Sequence, residues 1–286
     1  MSVYDLNGNE IDLVYDKNGN TISQAYDING NPLINTEPVN IKVMSYNVRW
    51  WQNFNSQQTM QEEIISTYTP DIIGFQEFSR NTNVPTVGAN VLVDYPAIRL
   101  SNHFNFNALA SKYTLYNLTS ADYQTQDQYD IDTYHETRSY MKCYMHINGK
   151  NICWLNTHLC CQNSTPQYAQ MLELFNMAEQ EEYVIITGDF NSHGMDIESD
   201  DYIGLYKQYV DSGYHLINST LLTGFTKTWT SSTTATSTTQ MTYPHDNIIT
   251  SSNINIISAY FDDTKFSYLN GEAIDHIPLV AKLQIR

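Results

Sequence analysis

Carboxylate, amide and imidazole side chains recur in this chain at the ends of apolar runs, where side chains able to do chemistry are best placed. The clearest case is Gly188-Asp189-Phe190-Asn191, directly after Val184-Ile185-Ile186-Thr187. A carboxylate and an amide two residues apart just past a buried strand can face one pocket, the first able to take a proton and the second to grip an anionic oxygen. Taken singly, the pattern is equally an Asx turn closing a strand. It does not stand singly. Asn47 ends the alternating run Ile41 to Val48, Glu77 ends Asp71-Ile72-Ile73-Gly74-Phe75-Gln76, and Asn156-Thr157-His158 ends the run from Asn151. Asp246 stands at the start of a run opened by His245, and Asp275-His276 leads into the last one, Ile277 to Val280. Turn chemistry explains each of these and is strained to explain all of them together.

The elements that must position these groups follow from periodicity. Ile41 to Val48 and Asp71 to Glu77 read as strands flanking a helix over Gln58 to Tyr68, stopped by Pro70. Ala108 to Lys112 is a short strand, and Thr137 to Tyr144 pairs with Asn151 to Leu155 about Asn148-Gly149, a type I′ turn signal. That turn leaves two registers open: a two-residue loop sets Cys153 opposite Tyr144, and a three-residue loop sets it opposite Cys143. An amphipathic helix is expected over Gln167 to Glu179, with Tyr168, Met171, Leu172, Phe175 and Met177 or Ala178 facing inward. A helix near Tyr202 to Tyr209 and strands from His245, from Ile254 and after Ile277 complete the pattern. Residues 78–106 and 120–134 read as polar loops, and the Ser/Thr-rich run 230–239 as a loop over one face.

Residues 1–36 differ in texture. Tyr4-Asp5-Leu6-Asn7-Gly8-Asn9 recurs as Tyr15-Asp16-Lys17-Asn18-Gly19-Asn20 and Tyr26-Asp27-Ile28-Asn29-Gly30-Asn31, with tyrosines every 11 residues. Each Asn-Gly is a hairpin turn candidate, so this stretch is expected to form a thin β appendage that leans on a partner or on the main domain at 39–286. The glycine falls at the fourth position of Asp-x-Asn-Gly-Asn, against the sixth in an EF-hand loop, which argues against calcium.

With 286 residues, 14 Lys+Arg and 31 Asp+Glu, the chain carries a formal charge of −17. That disfavours indiscriminate attraction to nucleic acid or anionic membranes, so a polyanionic substrate needs a metal ion or a local basic edge, for which Arg49, Arg80 and Lys112 are candidates. No run approaches the length of a membrane span, and the start lacks a signal-peptide pattern, so a soluble chain is expected with its compartment open. The four cysteines, Cys143, Cys153, Cys160 and Cys161, lack paired zinc spacing and are expected as buried free thiols.

Ser45-Tyr46-Asn47-Val48-Arg49, Ile73-Gly74-Phe75-Gln76-Glu77, Ala110-Ser111-Lys112, Glu136-Thr137-Arg138, Asn156-Thr157-His158-Leu159, Thr187-Gly188-Asp189-Phe190-Asn191 and Asp275-His276-Ile277-Pro278-Leu279 occur in that order. In these motifs the chain resembles the endonuclease/exonuclease/phosphatase superfamily, the deoxyribonuclease I-like fold. The resemblance implies an α/β four-layer sandwich, two central mixed β-sheets flanked by helices, and a metal-dependent phosphoester hydrolase. It implies that Glu77, with Asn47 and Asp275 nearby, holds Mg2+, with Mn2+ or Ca2+ as alternatives. Asp189 would deprotonate the attacking water and Asn191 hold it or a phosphate oxygen. His158 and His276 would face the phosphate, with His276 fixed by Asp246 and serving as base or as cationic clamp. Arg138 would grip phosphate in a bidentate manner, with Tyr134 as a further candidate near it. The expected substrate is nucleic acid, cleaved by a monomeric nuclease. A phosphatase or phospholipase C-type enzyme on an inositol phosphate, phospholipid or sphingomyelin is the alternative, and a non-catalytic binding module the third. Ile274 and Asn247 depart from the family pattern beside Asp275 and Asp246 without touching a catalytic group.

Overall fold

The computed structural model describes residues 3–4, 10–11, 38–48, 62–78, 94–100, 107–134, 137–161, 163–191, 200–220, 245–261 and 276–286. Its strands are β1 (Val3–Tyr4), β2 (Glu10–Ile11), β3 (Val39–Asn47), β4 (Ile72–Gln76), β5 (Ala97–Leu100), β6 (Ala108–Ser111), β7 (Tyr116–Asp122), β8 (Ser139–Ile147), β9 (Lys150–His158), β10 (Tyr183–Asp189), β11 (His215–Leu216), β12 (Asp246–Thr250), β13 (Ile254–Phe261) and β14 (Leu279–Ile285). The helices are α1 (62–68), α2 (Ser164–Ala178), α3 (Asp200–Asp211) and α4 (Ile217–Thr220), with a one-turn π-type helix at Asp130–Tyr134.

Two six-stranded sheets form the body, ordered β11-β12-β10-β9-β8-β7 and β13-β14-β3-β4-β6-β5. Both are mixed, because β3 runs parallel to β4 and β9 parallel to β10 while their other pairings are antiparallel. Alternation along the strands sorts the side chains into layers. Ile41 and Val43 of β3 face Trp154 and Ile185 of the other sheet in a shared core, whereas Met44 and Tyr46 face outward onto Ile64 and Ile65 of α1. In β10, Ile185 points to the shared core, and Val184 and Ile186 point to Leu174 and Phe175 of α2 and Tyr206 and Tyr209 of α3. The result is helix, sheet, sheet, helix, the four-layer arrangement expected.

Polar groups also cross the middle of this sandwich. Asn156 of β9 donates to the carbonyls of Phe75 (2.8 Å) and Ala108 (3.3 Å) and accepts from Gln76 Nε2 (2.8 Å) and Thr187 Oγ1 (2.9 Å). Trp154 Nε1 donates to Thr187 Oγ1 at 3.1 Å. Only glycine fits at position 74 against this network, since a Cβ there would stand 2.0 Å from Thr187 Oγ1 and 2.5 Å from Asn156 Oδ1.

The Asn148-Gly149 turn has φ of 55° and 71°, the type I′ signature, and Tyr144 lies opposite Cys153, which selects the two-residue loop. All four cysteines are thiols outside any disulfide; Cys143, Cys153 and Cys160 are buried and Cys161 is partly exposed. Burial pushes the Cys153 thiol up to about 12, with Lys142 opposing and Glu181 adding to the effect.

Two expectations need correction. β5 lies inside the stretch read as a long loop, and β7 reaches into the second one. Both are sheet edges, and β7 exposes much of its length, so its sequence lacks the apolar alternation of a half-buried strand. The inner face of α2 is Pro166, Gln167, Gln170, Met171, Leu174, Phe175 and Ala178, while Tyr168 is 45 % exposed. The face turns because Gln167 and Gln170 take inward positions, donating to the Phe190 and Thr125 carbonyls. At the N-terminus β1 pairs with β2, Val3 opposite Ile11 and Tyr4 opposite Glu10, while the Asn7-Gly8 turn between them lies outside the described residues. The second and third repeats and the 230–239 run lie outside the described residues.

Candidate active site

Strand register gathers the functional groups at one end of the sandwich. β3 and β4 run in parallel and finish level, Asn47 beside Gln76, which puts Glu77 at the same rim. β9 and β10 likewise finish level, His158 beside Asp189. β12 runs antiparallel to β10 and starts where β10 ends, so Asp246 pairs with Asp189. β14 enters opposite Ser45 of β3, and His276 precedes it by a short step. The groups found at the ends of separate apolar runs thus arise from the ends and starts of adjacent strands, three on one sheet and three on the other.

Asp189 Oδ2 is the hub. Asn47 Nδ2 donates to it across the two sheets at 2.9 Å and also donates to Glu77 Oε1 at 3.1 Å. His158 Nε2 lies 3.5 Å and His276 Nε2 3.4 Å from the same oxygen. The other oxygen, Oδ1, accepts the backbone N–H of Asn191 at 2.9 Å. Asp189, Asp246, His158 and His276 are all buried. Burial raises the Asp189 carboxyl above the ordinary carboxylate range and Asp246 adds to this, while His276, Asn47 and the Asn191 amide oppose it. The outcome is a carboxylate more basic than a free one, which suits a proton acceptor.

The His276 Nδ1 proton is donated to Asp246 Oδ2 at 2.8 Å, which fixes the ring and turns Nε2 toward Asp189. His158 is set differently. Arg138 Nη1 lies 3.1 Å from its Nε2, and a guanidinium only donates, so Nε2 is the accepting nitrogen and the imidazole is neutral. Its pKa is well below the ordinary histidine value, first through burial and then through the positive charge of Arg138 and the neighbouring His276.

Two residues take positions other than those expected of them. The Asn191 side chain donates Nδ2 to the Leu159 carbonyl at 2.8 Å, and with φ of 48° the residue locks the loop after β10. Arg138 is buried with its fork engaged inside the protein: Nε donates to Asp130 Oδ2 at 2.9 Å and Nη2 lies 3.5 Å from Cys161 Sγ. Lys112, a candidate for a basic edge, stands at the far end of its sheet, because β6 runs antiparallel to β4 and Ser111 pairs with Ile72; it forms an ion pair with Asp71 at 3.3 Å. Asn156 belongs to the inter-sheet network described above. Asp275, Arg49 and Arg80 lie outside the described residues, as does the side chain of Tyr134. Asp130 had no sequence signal, since it sits in a polar, tyrosine-rich stretch without periodicity.

The donor set suits a hard divalent cation. Glu77 is presented partly exposed at φ of 54°, a conformation rare outside glycine and Asn/Asp, with the Asn47 amide beside it. Asp189, Asp246 and His276 offer ligand atoms within 4.8 Å of one another.

Comparisons with known proteins agree with this architecture. The chain is similar to an endonuclease/exonuclease/phosphatase of Bacteroides vulgatus, with 15 % identity, a TM-score of 0.69, and coverage of 87 % of this chain and 100 % of that one. It is also similar to TDP2 of Caenorhabditis elegans, with 17 % identity, a TM-score of 0.59 and coverage of 86 % and 74 %. TDP2 of D. rerio, solved in complex with a single strand DNA product, shares 14 % identity at a TM-score of 0.62, over 85 % of this chain and 98 % of that one. No curated protein matches the chain by sequence. No helix among the described residues is long and apolar enough to cross a membrane. The model of the Endonuclease/Exonuclease/phosphatase family matches residues 44–264, and with that match the chain belongs to this family of phosphoester hydrolases.

Proposed function

We propose that the protein is a metal-dependent phosphodiesterase of the nuclease type, cleaving by in-line attack of an activated water. The observation that carries this reading is the convergence of Asn47, His158 and His276 on one oxygen of the buried Asp189. Asp189 takes the proton of the water as the new P–O bond forms, and the ester oxygen departs with the pair of the broken bond. The Asn191 amide and Asn47 hold the carboxylate in orientation through that step. His276, steadied by Asp246, donates from a protonated Nε2 to a phosphoryl oxygen, where negative charge builds up, while His158, whose Nε2 accepts from Arg138, lines the same pocket. Glu77 and Asn47, with Asp275, would hold magnesium or a related ion. Such an ion supplies charge neutralisation at the phosphate and the leaving oxygen.

Nucleic acid as the substrate has the support of the D. rerio TDP2 neighbour with its DNA product. A second reading, a small or terminal phosphoester, is favoured by the charge layout. Lys112 and Arg286 lie at strand ends remote from Asp189, and Lys42 and Lys282 pair in mid-strand with Lys42 Nζ turned to the Tyr68 carbonyl. Lys142 and Lys207 are in ion pairs with Glu181 and Asp211, and Arg138 is buried, so these described cations form no basic track for a long polyanion. Incubation with plasmid DNA, RNA, inositol phosphates and sphingomyelin, with magnesium and then EDTA, decides between them. Metal-dependent nicking that is lost in Asp189→Ala supports the nuclease; release of inorganic phosphate with DNA intact overturns it in favour of the second reading.

A further inference from the structure

We infer that Asp130 is a positioning residue of the site, holding Arg138 in the orientation that sets the His158 ring. This rests on the hydrolase reading above and adds to it a residue on a different element. Asp130 opens the π-type turn Asp130–Tyr134, an irregularity of the kind often found at functional sites. Its carboxylate is wholly buried and makes a 2.9 Å ion pair with Arg138 Nε, whose side chain is itself 3 % exposed. The other carboxylate oxygen accepts Cys161 Sγ–H at 3.3 Å. The Arg138 backbone is held by the Gln126 side chain, which accepts its N–H and donates to its C=O at 2.8 Å each. Asp130 meets the side chain at its far end, where a buried carboxylate on Nε fixes the plane of the guanidinium. With Nε held, the planar fork directs Nη1 at His158 Nε2 at 3.1 Å, leaving the ring proton on Nδ1. His158 Nε2 in turn faces Asp189 Oδ2 at 3.5 Å. Asp130 thus acts on the reaction through two side chains without touching substrate.

The experiment is a double-mutant cycle on bis(p-nitrophenyl) phosphate with magnesium, using Asp130→Ala, Asp130→Asn, Arg138→Ala and the Asp130→Ala/Arg138→Ala double variant. Positioning predicts a fall in kcat of about 10- to 100-fold for Asp130→Ala with KM little changed. It predicts recovery of most of that loss in Asp130→Asn, whose amide oxygen still accepts from Nε. The double variant, which removes both charges of the pair, should be no slower than Arg138→Ala. Equal losses in the Ala and Asn variants, or additive losses in the cycle, overturn the inference. Ring nitrogen NMR shifts of His158 supply a readout independent of turnover, and Asp130→Asn, the milder change, carries this measurement if Asp130→Ala does not fold. The Nδ1–H tautomer of the wild type should persist in Asp130→Asn and give way to a mixture in Asp130→Ala. Its persistence in Asp130→Ala, or its loss in Asp130→Asn, overturns the inference. An inactive wild type would count against the proposed function alone, and the NMR result would then decide the positioning role.

Discussion

Replacing Gly74 with alanine tests how tightly the two sheets are locked behind the site. The new methyl would stand 2.0 Å from Thr187 Oγ1, 2.5 Å from Asn156 Oδ1 and 2.7 Å from Thr187 Cβ. These neighbours are short, wholly buried side chains, so the strain cannot be relieved by a flexible end moving aside. Overpacking of this kind costs about 1–3 kcal/mol. Displacing Thr187 or Asn156 also breaks at least one of the bonds joining Thr187, Asn156, Gln76 and Trp154, at about 1–3 kcal/mol for each buried group left unpaired. The sum is about 2–6 kcal/mol, which for a domain of this size lowers Tm by about 4–24 °C. Calorimetry on Gly74→Ala measures it. Gly74→Ala/Thr187→Ala should recover part of the loss relative to the two single variants added together, because the closest contact has been removed. A Tm within about 2 °C of wild type, or strictly additive effects, would refute the reasoning.

Other consequences are as direct. His158 is neutral in the fold and binds a proton near pH 6.5 once unfolded. The unfolded state therefore takes up more protons as the pH drops below that value, and stability falls by up to about 1.4 kcal/mol per pH unit for this one group. Urea midpoints from pH 7.5 to 5 should show the slope, reduced in His158→Gln. Of the four thiols only Cys161 is partly exposed. A disulfide reagent at neutral pH should titrate one fast thiol in the native protein and four in denaturant, and Cys161→Ser should remove the fast one. Magnesium at 100 times its Kd should raise unfolding free energy by about 2.7 kcal/mol, an increase abolished by EDTA and much reduced in Glu77→Gln.

Much of the site was legible in the sequence because buried central strands read as apolar runs, and a polar residue at the end of such a run stands out. Asn47, Glu77, His158, Asp189, Asp246 and His276 were all visible in this way, and register then brought them together. The edge strands β5 and β7 were not legible. An edge strand exposes one side of its backbone and, in β7, most of its side chains, so no alternation marks it. The phase of α2 was missed for the opposite reason, since two glutamines occupy its inner face and hydropathy cannot foresee the loop carbonyls that satisfy them. Arg138 was found by its motif but its partner Asp130 was not. A buried ion pair between a loop and a strand leaves no periodic trace in sequence.

The proposed metal-dependent phosphoester hydrolysis requires Asp189 as its proton acceptor. The most direct measurement is the turnover of bis(p-nitrophenyl) phosphate and plasmid DNA by wild type and Asp189→Asn, with magnesium and with EDTA. Asparagine keeps the shape, and its single carbonyl oxygen can still accept from either Asn47 or the Asn191 amide, but it cannot take the proton of the water. The expected result is metal-dependent turnover by wild type and a fall of about 10²–10⁴-fold in kcat for a folded Asp189→Asn. Undiminished hydrolysis by that variant, or a wild type whose turnover is indifferent to EDTA, would contradict it.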